Sequence, residues 1–185
     1  MKIFLSKINE SWIVDRLKDE WSQFNAETVT NNIKKADIIW IISPWLWNKI
    51  SKKYLKNKKV VCSIYHLEET DFTDKNIEEF KNRDQFVDVY HVISPITKKE
   101  LSKLTDKEVV YIPFWVNQNI WYEISNKNSL REKYQLRAEE FIIGSFQRDT
   151  EGSDLISPKL IKGPDRFLKI IKEFNKEKEN LTVLL

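Results

Sequence analysis

The stretch 141–165 holds every glycine of the chain and three basic side chains that could bind an anion: Gly144, Gly152, Gly163, Arg148, Lys159 and Lys162. Glycine permits tight turns and close approach of a ligand to the backbone, and arginine and lysine bind phosphate oxygens. An apolar run at 141–145 precedes most of these residues, and a helix-like run at 166–174 follows them. A loop between a strand and the start of a helix is a common phosphate-binding context, so we expect a phosphate site here.

Two interpretations of these basic residues stay open. Arg148 and Lys162 either bind phosphate or are solvated loop residues. Lys162 directly precedes Gly163, whereas Lys159 has no glycine beside it. Lys162 is therefore the predicted ligand, and Lys159 is expected to be a bystander.

Short apolar runs alternate with longer runs of helical periodicity through the first 112 residues. The apolar runs predict strands at 2–5, 37–42, 60–65, 88–93 and 108–112, with a weak strand at 27–30. The periodic runs predict helices at 10–24, 45–56, 75–86 and 96–104. Strands that alternate with helices of this length form a parallel sheet joined by right-handed crossovers. We therefore predict an α/β fold, a Rossmann-like parallel sheet with helices on both faces.

The alternation stops after Pro113, where aromatic residues without a clear period follow. We place an N-terminal Rossmann-like domain at 1–120, a connector at 121–137 and the first β-α-β of a second domain at 138–185. One such unit is too small to form a stable three-layer domain. The second Rossmann-like unit is therefore expected to be incomplete.

The two histidines occupy different predicted positions. His66 follows the strand at 60–65, and ligands of doubly wound sheets bind at the carboxyl ends of the strands. We expect His66 to face a cleft. His91 lies within the strand pattern at 88–93, so we expect a hydrogen-bonded core or surface histidine there.

Composition and charge exclude several classes of protein. A formal net charge of +3 from 31 basic and 28 acidic residues does not indicate nucleic-acid binding. The single cysteine, Cys62, lies in an apolar run and predicts a buried thiol in a reducing compartment. No apolar run is long enough for a signal peptide or a membrane span. We therefore expect a cytoplasmic protein.

The predicted helix at 45–56 is basic on one face and apolar on another. Its lysines are Lys49, Lys52, Lys53 and Lys56. Such a helix either makes a peripheral contact with an anionic inner membrane, which would suit a lipid-linked acceptor, or carries a solvated face over a core-facing stripe. The sequence leaves both interpretations open.

Several of these features together resemble a family-4 glycosyltransferase of the GT-B fold. The resemblance covers the order of elements along the whole chain, and its specific motifs lie in the last third. These motifs are Ile143-Gly-Ser-Phe-Gln-Arg148 at a strand end and Pro158-Lys-Leu-Ile-Lys-Gly-Pro-Asp165 at the next helix start. His66 and the connector sequence Arg131-Glu-Lys-Tyr agree with the same family.

The resemblance implies transfer of a hexose from a nucleoside-diphosphate sugar to a carbohydrate or lipid-linked acceptor, with retained configuration, in polysaccharide biosynthesis. It implies that Arg148, Lys162 and Gly163 bind the donor diphosphate and that His66 has a catalytic role in the cleft. Cations there would stabilise the charge on the departing phosphate. The family needs no metal or other cofactor, and the domain at 1–120 would be the acceptor side.

The family's Glu-x7-Glu pair, which binds the sugar and the ribose, would lie beyond Leu185. The chain is therefore expected to be an N-terminal fragment that is inactive by itself. Two other functions stay open. One is a non-catalytic sugar- or nucleotide-binding subunit completed by a partner chain, and the other is a phosphate-binding Rossmann-like regulator.

Overall fold

The computed structural model describes residues 1–6, 13–67, 72–146, 150, 156–177 and 180–184. Its chain divides into two compact units, Met1–Trp121 and Tyr122–Leu185. The predicted connector at 121–137 contains a short helix, Lys127–Lys133. Each unit is described by itself below.

The first unit is built on a five-stranded parallel sheet. Its strands are β1 (Ile3–Leu5), β2 (Ile38–Ile41), β3 (Lys59–Ile64), β4 (Val89–Val92) and β5 (Glu108–Tyr111), which lie side by side in that order. One face of the sheet is fully buried, because β-branched and other apolar residues occupy alternate strand positions: Ile39, Ile41, Val60, Cys62, Tyr90 and Val92. The residues between them in β2 and β4, which point to the other face, are half-buried. Burial raises the pKa of the Cys62 thiol to about 12, so Cys62 is a protonated core residue, as predicted.

The helices of the first unit are α1 (Ile13–Phe24), α2 (Lys52–Asn57), α3 (Asp74–Asp84) and α4 (Pro95–Leu101), with short 3-10 helices at Ile33–Lys35 and Pro44–Lys49. Side chains cap the starts of α3 and α4. The Thr73 hydroxyl accepts a hydrogen bond from the Asn76 amide, and the Ser94 hydroxyl accepts one from the Ile96 amide.

The order of the strands places helices on both faces of the sheet. Ile3 exchanges backbone hydrogen bonds with Thr28 and Thr30, so the predicted strand at 27–30 is present as a single parallel bridge. The amide and carbonyl of one residue point to the same side of a parallel strand, so this bridge lies across β1 from β2. After β1 the chain therefore forms the bridge on one side of β1 and then β2 on the other side. Since such crossovers are right-handed, α1 lies on one face and the later helices on the other. The parallel sheet with alternating helices confirms the Rossmann-like prediction.

The single amphipathic helix predicted at 45–56 is wrong. The chain forms a 3-10 helix at Pro44–Lys49, is extended at Ile50 and Ser51, and begins α2 at Lys52. Trp47 and Ile50 are both buried at the end of the 3-10 helix, where the Ile50 amide donates to the Trp47 carbonyl oxygen at 3.2 Å. The apolar stripe is therefore core and the four lysines are exposed, while peripheral membrane contact stays a prediction. Within the described ranges, no helix has the length and apolar character needed to cross a bilayer.

The second unit contains the two-stranded parallel sheet of β6 (Phe141–Gly144) and β7 (Leu181–Leu184). Helix α5 (Lys127–Lys133) precedes the sheet, and α6 (Pro164–Phe174) connects its two strands. A 3-10 helix at Leu160–Lys162 leads directly into α6. Thr150 and Pro158 form an antiparallel bridge.

Candidate functional site

His66 lies just beyond the carboxyl end of β3, with an exposed side chain. It lines a cavity of about 310 Å³ together with Pro44 and Trp45, which follow β2. The far wall of the cavity comes from α3 and Phe72. The structure therefore places His66 at a concave, partly apolar surface at the strand ends.

Tyr65 holds the backbone beside His66 in place. Its hydroxyl donates a 2.6 Å hydrogen bond to the carbonyl oxygen of Ile42, and its ring lies 5.4 Å from the ring of Phe114. Burial raises the pKa of the Tyr65 hydroxyl above its usual range, so it acts as a neutral donor. Tyr65, which lines the cavity, thereby joins the end of β3 to the residues that follow β2 and β5.

The connection after β1 runs to one side of the sheet and the connection after β2 runs to the other, so the topological switch point lies between β1 and β2. Ser6 Oγ accepts a 3.1 Å hydrogen bond from the Ile42 amide, which fixes the spacing of the two strand ends. Ser43 follows on β2 and is fully buried, and its hydroxyl has no hydrogen-bond partner within the described part of the chain. Open α/β sheets bind ligands at such reversal points.

His91 belongs to a hydrogen-bonded chain across the sheet, as the strand pattern predicted. Trp40 Nε1 donates to Ser63 Oγ at 2.9 Å, and Ser63 Oγ lies 2.9 Å from His91 Nδ1. His91 Nε2 lies 2.9 Å from the carbonyl oxygen of Ile112. Ser63 is fully buried, so this serine and histidine pair cannot reach a substrate and serves the sheet instead.

The second unit brings Lys162 and Gly163 together at the start of α6. Gly163 has φ 70° and ψ 36°, the left-handed conformation that favours glycine, and no side chain caps the helix start. The amides of Lys162 and Gly163 donate to the carbonyl oxygens of Lys159 and Leu160 at 2.8 and 2.9 Å. The glycine therefore forms the turn that ends the 3-10 helix and begins α6.

The first turn of α6 presents positive potential from the backbone. The first amide of the helix with a backbone partner is that of Phe167, which donates to the Gly163 carbonyl oxygen at 2.9 Å. Pro164 has no N–H, so the amides of Asp165 and Arg166 are the ones available to an anion at this end. Lys162, two residues before α6, has an exposed side chain.

Arg148, predicted to share this site, lies outside the described residues, as does Gly152. The described neighbours of that loop are Gly144 and Phe146 on one side and Thr150 on the other. The role predicted for Arg148 therefore stays a prediction.

One candidate residue had no signal in the sequence. Arg83 lies near the end of α3 and lines the same cavity as His66. It is only 7% exposed, although an arginine in a run of charged helical residues is typical of a solvated face. Its burial depends on how α3 packs on the sheet, which local periodicity does not encode.

The fold is similar to that of the Anabaena protein HepE. A crystal structure of HepE in complex with UDP and glucose matches with a TM-score of 0.68 at 12% sequence identity over 98% of this chain. A second, in complex with UDP-glucose, matches with a TM-score of 0.59 at 11% identity, also over 98% of this chain. The chain spans 59% of the first HepE chain and 68% of the second. No protein-family model and no curated protein matches the sequence.

Proposed function

We propose that this chain is part of a nucleotide-sugar glycosyltransferase of the GT-B type that resembles family 4. It would move a hexose from a nucleoside-diphosphate sugar to a carbohydrate or lipid-linked acceptor with retained configuration. The observation that carries the proposal is the start of α6, where a left-handed glycine, an exposed lysine and uncapped amides meet. The fold shared with a protein crystallised with UDP-glucose supports the same donor class.

The chemistry of transfer explains why such a helix start would be useful. Breaking the bond between the sugar and the diphosphate leaves negative charge on the departing phosphate. Groups that interact more strongly with that charge than with the intact donor lower the barrier. Lys162 would supply a point charge, and the amides of Asp165 and Arg166 would supply hydrogen bonds that need no reorientation.

The proposal gives the two units different roles. The unit Tyr122–Leu185 would hold the donor diphosphate through Lys162, the predicted Arg148 and the amides of Asp165 and Arg166. Gly163, predicted as a diphosphate ligand, would form the turn that exposes these amides, because its own amide donates to the Leu160 carbonyl oxygen. The unit Met1–Trp121 would hold the acceptor, with His66 contacting the transferred sugar or the acceptor at the cavity mouth. No metal ion is required by this division, because protein cations would carry the electrostatic role.

A calorimetric titration of the chain with UDP-glucose, UDP and glucose, in buffer with EDTA, tests the donor class. We expect UDP and UDP-glucose to bind with similar affinity and glucose to bind at least about tenfold more weakly, because the diphosphate contacts carry charge. Binding of none of the three would remove the proposal. Binding of UDP-glucose only after addition of Mg²⁺ would overturn its metal independence.

A further inference from the structure

The cavity beside His66 continues along one face of α3. Asn76, Phe80 and Arg83 line it at positions i, i+4 and i+7, which share one side of a helix. Seven residues of helix span about 10 Å, so the cavity extends about two turns inward from its mouth. Asn76 is exposed at the outer end, whereas Phe80 is 8% exposed and Arg83 is 7% exposed at the inner end.

Arg83 is a buried cation whose Nε makes no hydrogen bond to any described residue. Its guanidinium carbon lies 5.3 Å from the centroid of the Phe80 ring, on the cavity side of its own helix. Helical side chains tilt toward the N-terminus, which sends the Arg83 side chain back toward the cavity mouth. A buried donor that is left without an acceptor is costly, so the free Nε–H favours an acceptor that enters the cavity from outside, and the guanidinium charge favours an anionic one.

The rest of the lining is mostly apolar or aromatic, and its two other charged residues, Glu79 and Lys81, are exposed and opposite in charge. Phe72, Ile77 and Phe80 supply flat and aliphatic surface, and Trp45 lies at the edge. The cavity volume of about 310 Å³ is at the lower end of the range for small-ligand sites. A ligand that fits both the Arg83 guanidinium and this apolar surface has one anionic group and a ring or alkyl body.

We propose that this cavity binds an organic anion, with its carboxylate or phosphate on Arg83 and its body between Phe72, Ile77 and Phe80. Because His66 lines the mouth of the same cavity, and resting on the function proposed above, the anion is part of the acceptor. The acceptor class is thereby narrowed to anionic saccharides or phosphate-bearing acceptors. A neutral sugar could accept a hydrogen bond from Arg83 but would not balance its charge.

Phenyl β-D-glucuronide and phenyl β-D-glucoside test the proposal, because they differ only in a carboxylate against a hydroxymethyl group. Phenyl phosphate tests the phosphate alternative. We expect calorimetry on the full chain, without donor, to show the glucuronide or phenyl phosphate binding at least about tenfold more tightly than the glucoside. Arg83→Gln should abolish that preference, while Lys75→Gln, on the same helix but outside the cavity lining, should keep it.

Thermal unfolding of Arg83→Gln provides a second readout. Since Nε has no partner in the described part of the chain, we expect an unfolding temperature equal to or above that of the parent. A large decrease would mean that Arg83 is paired within the chain, and it would overturn the proposal. Equal affinity of the parent for all three probes, or no binding of any, would also overturn it.

The outcome separates this inference from the proposed function. UDP-glucose binding without any preference for the anionic probes would remove the acceptor site alone. An anion preference that depends on Arg83 in a chain that does not bind UDP-glucose would keep the cavity site and remove the transferase proposal.

Discussion

Ser63 Oγ lies 2.9 Å from His91 Nδ1 and receives a hydrogen bond from Trp40 Nε1 on its other side. The carbonyl oxygen of Ile112 can only accept, so the proton of the neutral imidazole lies on Nε2 and is donated to it. Nδ1 is then the acceptor, and the Ser63 hydroxyl donates to it while accepting from the indole. The tautomer assigned in this way joins β2, β3, β4 and the end of β5.

This arrangement predicts a loss of stability in acid. Burial lowers the pKa of His91 below the ordinary value of about 6.5. The unfolded chain therefore binds the proton first, so the contribution of His91 is complete above about pH 6.5 and is lost as pH falls toward the folded-state pKa and below it. Urea unfolding at pH 7.5 and pH 5.5 should show a smaller pH dependence for His91→Gln than for the parent. His66→Gln is the control, and an equal pH dependence in all three proteins would contradict the role of His91.

The hydrogen bond between Trp115 and Glu20 is expected to stabilise the first unit. Trp115 Nε1 donates to Glu20 Oε2 at 3.0 Å, and the carboxylate is only 6% exposed. Trp115→Phe would leave part of a buried charge unsatisfied and should lower the free energy of unfolding by about 1–3 kcal/mol. Trp121→Phe, at a position 60% exposed, should change it by less than about 0.5 kcal/mol. Equal effects in denaturant unfolding would show that the Glu20 contact does not stabilise the fold.

The two described glycines of the second unit should respond differently to alanine. Gly163 has φ 70°, where a Cβ costs roughly 1–2 kcal/mol, so Gly163→Ala should lower hydrogen-exchange protection in the first turns of α6. A Cβ on Gly144 would meet the Phe146 ring at 2.6 Å, but that side chain is 85% exposed and can rotate away. Gly144→Ala should therefore change the protection little. Loss of protection in α6 from Gly144→Ala but not from Gly163→Ala would contradict the assigned strain.

Asp165 places a carboxylate in the first turn of α6, beside the proposed diphosphate site. Its charge stabilises the helix start but opposes a bound anion, so Asp165→Asn should tighten binding of UDP roughly two- to fivefold. Glu177→Gln makes the same change in net charge beyond the other end of α6 and should leave the affinity unchanged. Weaker binding of UDP by Asp165→Asn would place the anion elsewhere.

The strands of the first unit could be predicted because their signal is local. Runs such as 37–42 and 60–65 are dense in β-branched residues, and the structure forms β2 and β3 there. The break at Ile50 and Ser51 could not be predicted, because the residues at 45–56 fit the period of one continuous helix and the break comes from how this segment packs on the sheet. The burial of Arg83 could not be predicted for the same reason, because it comes from the packing of α3 rather than from the neighbouring residues in the sequence.

Only part of the candidate site could be predicted from the sequence. The pair Lys162–Gly163 is adjacent in the chain, so its place at a helix start follows from local pattern. The pattern does not predict that the Gly163 amide is used within the 3-10 turn. As a result, the amides available to an anion are those of Asp165 and Arg166. His66 was predicted because it directly follows a strand. In the parallel sheet, that position lies at the mouth of the cavity.

The most direct test is the affinity of the parent chain, Lys162→Ala and Lys159→Ala for UDP-glucose, measured by calorimetry. Removal of a charge that contacts the diphosphate should weaken binding at least about tenfold in Lys162→Ala, because charge-assisted hydrogen bonds contribute about 1.5–3 kcal/mol. Lys159→Ala, which removes a lysine from the same loop, should bind like the parent. Unchanged affinity in Lys162→Ala, with the parent binding UDP-glucose, would contradict the placement of the donor diphosphate at the start of α6.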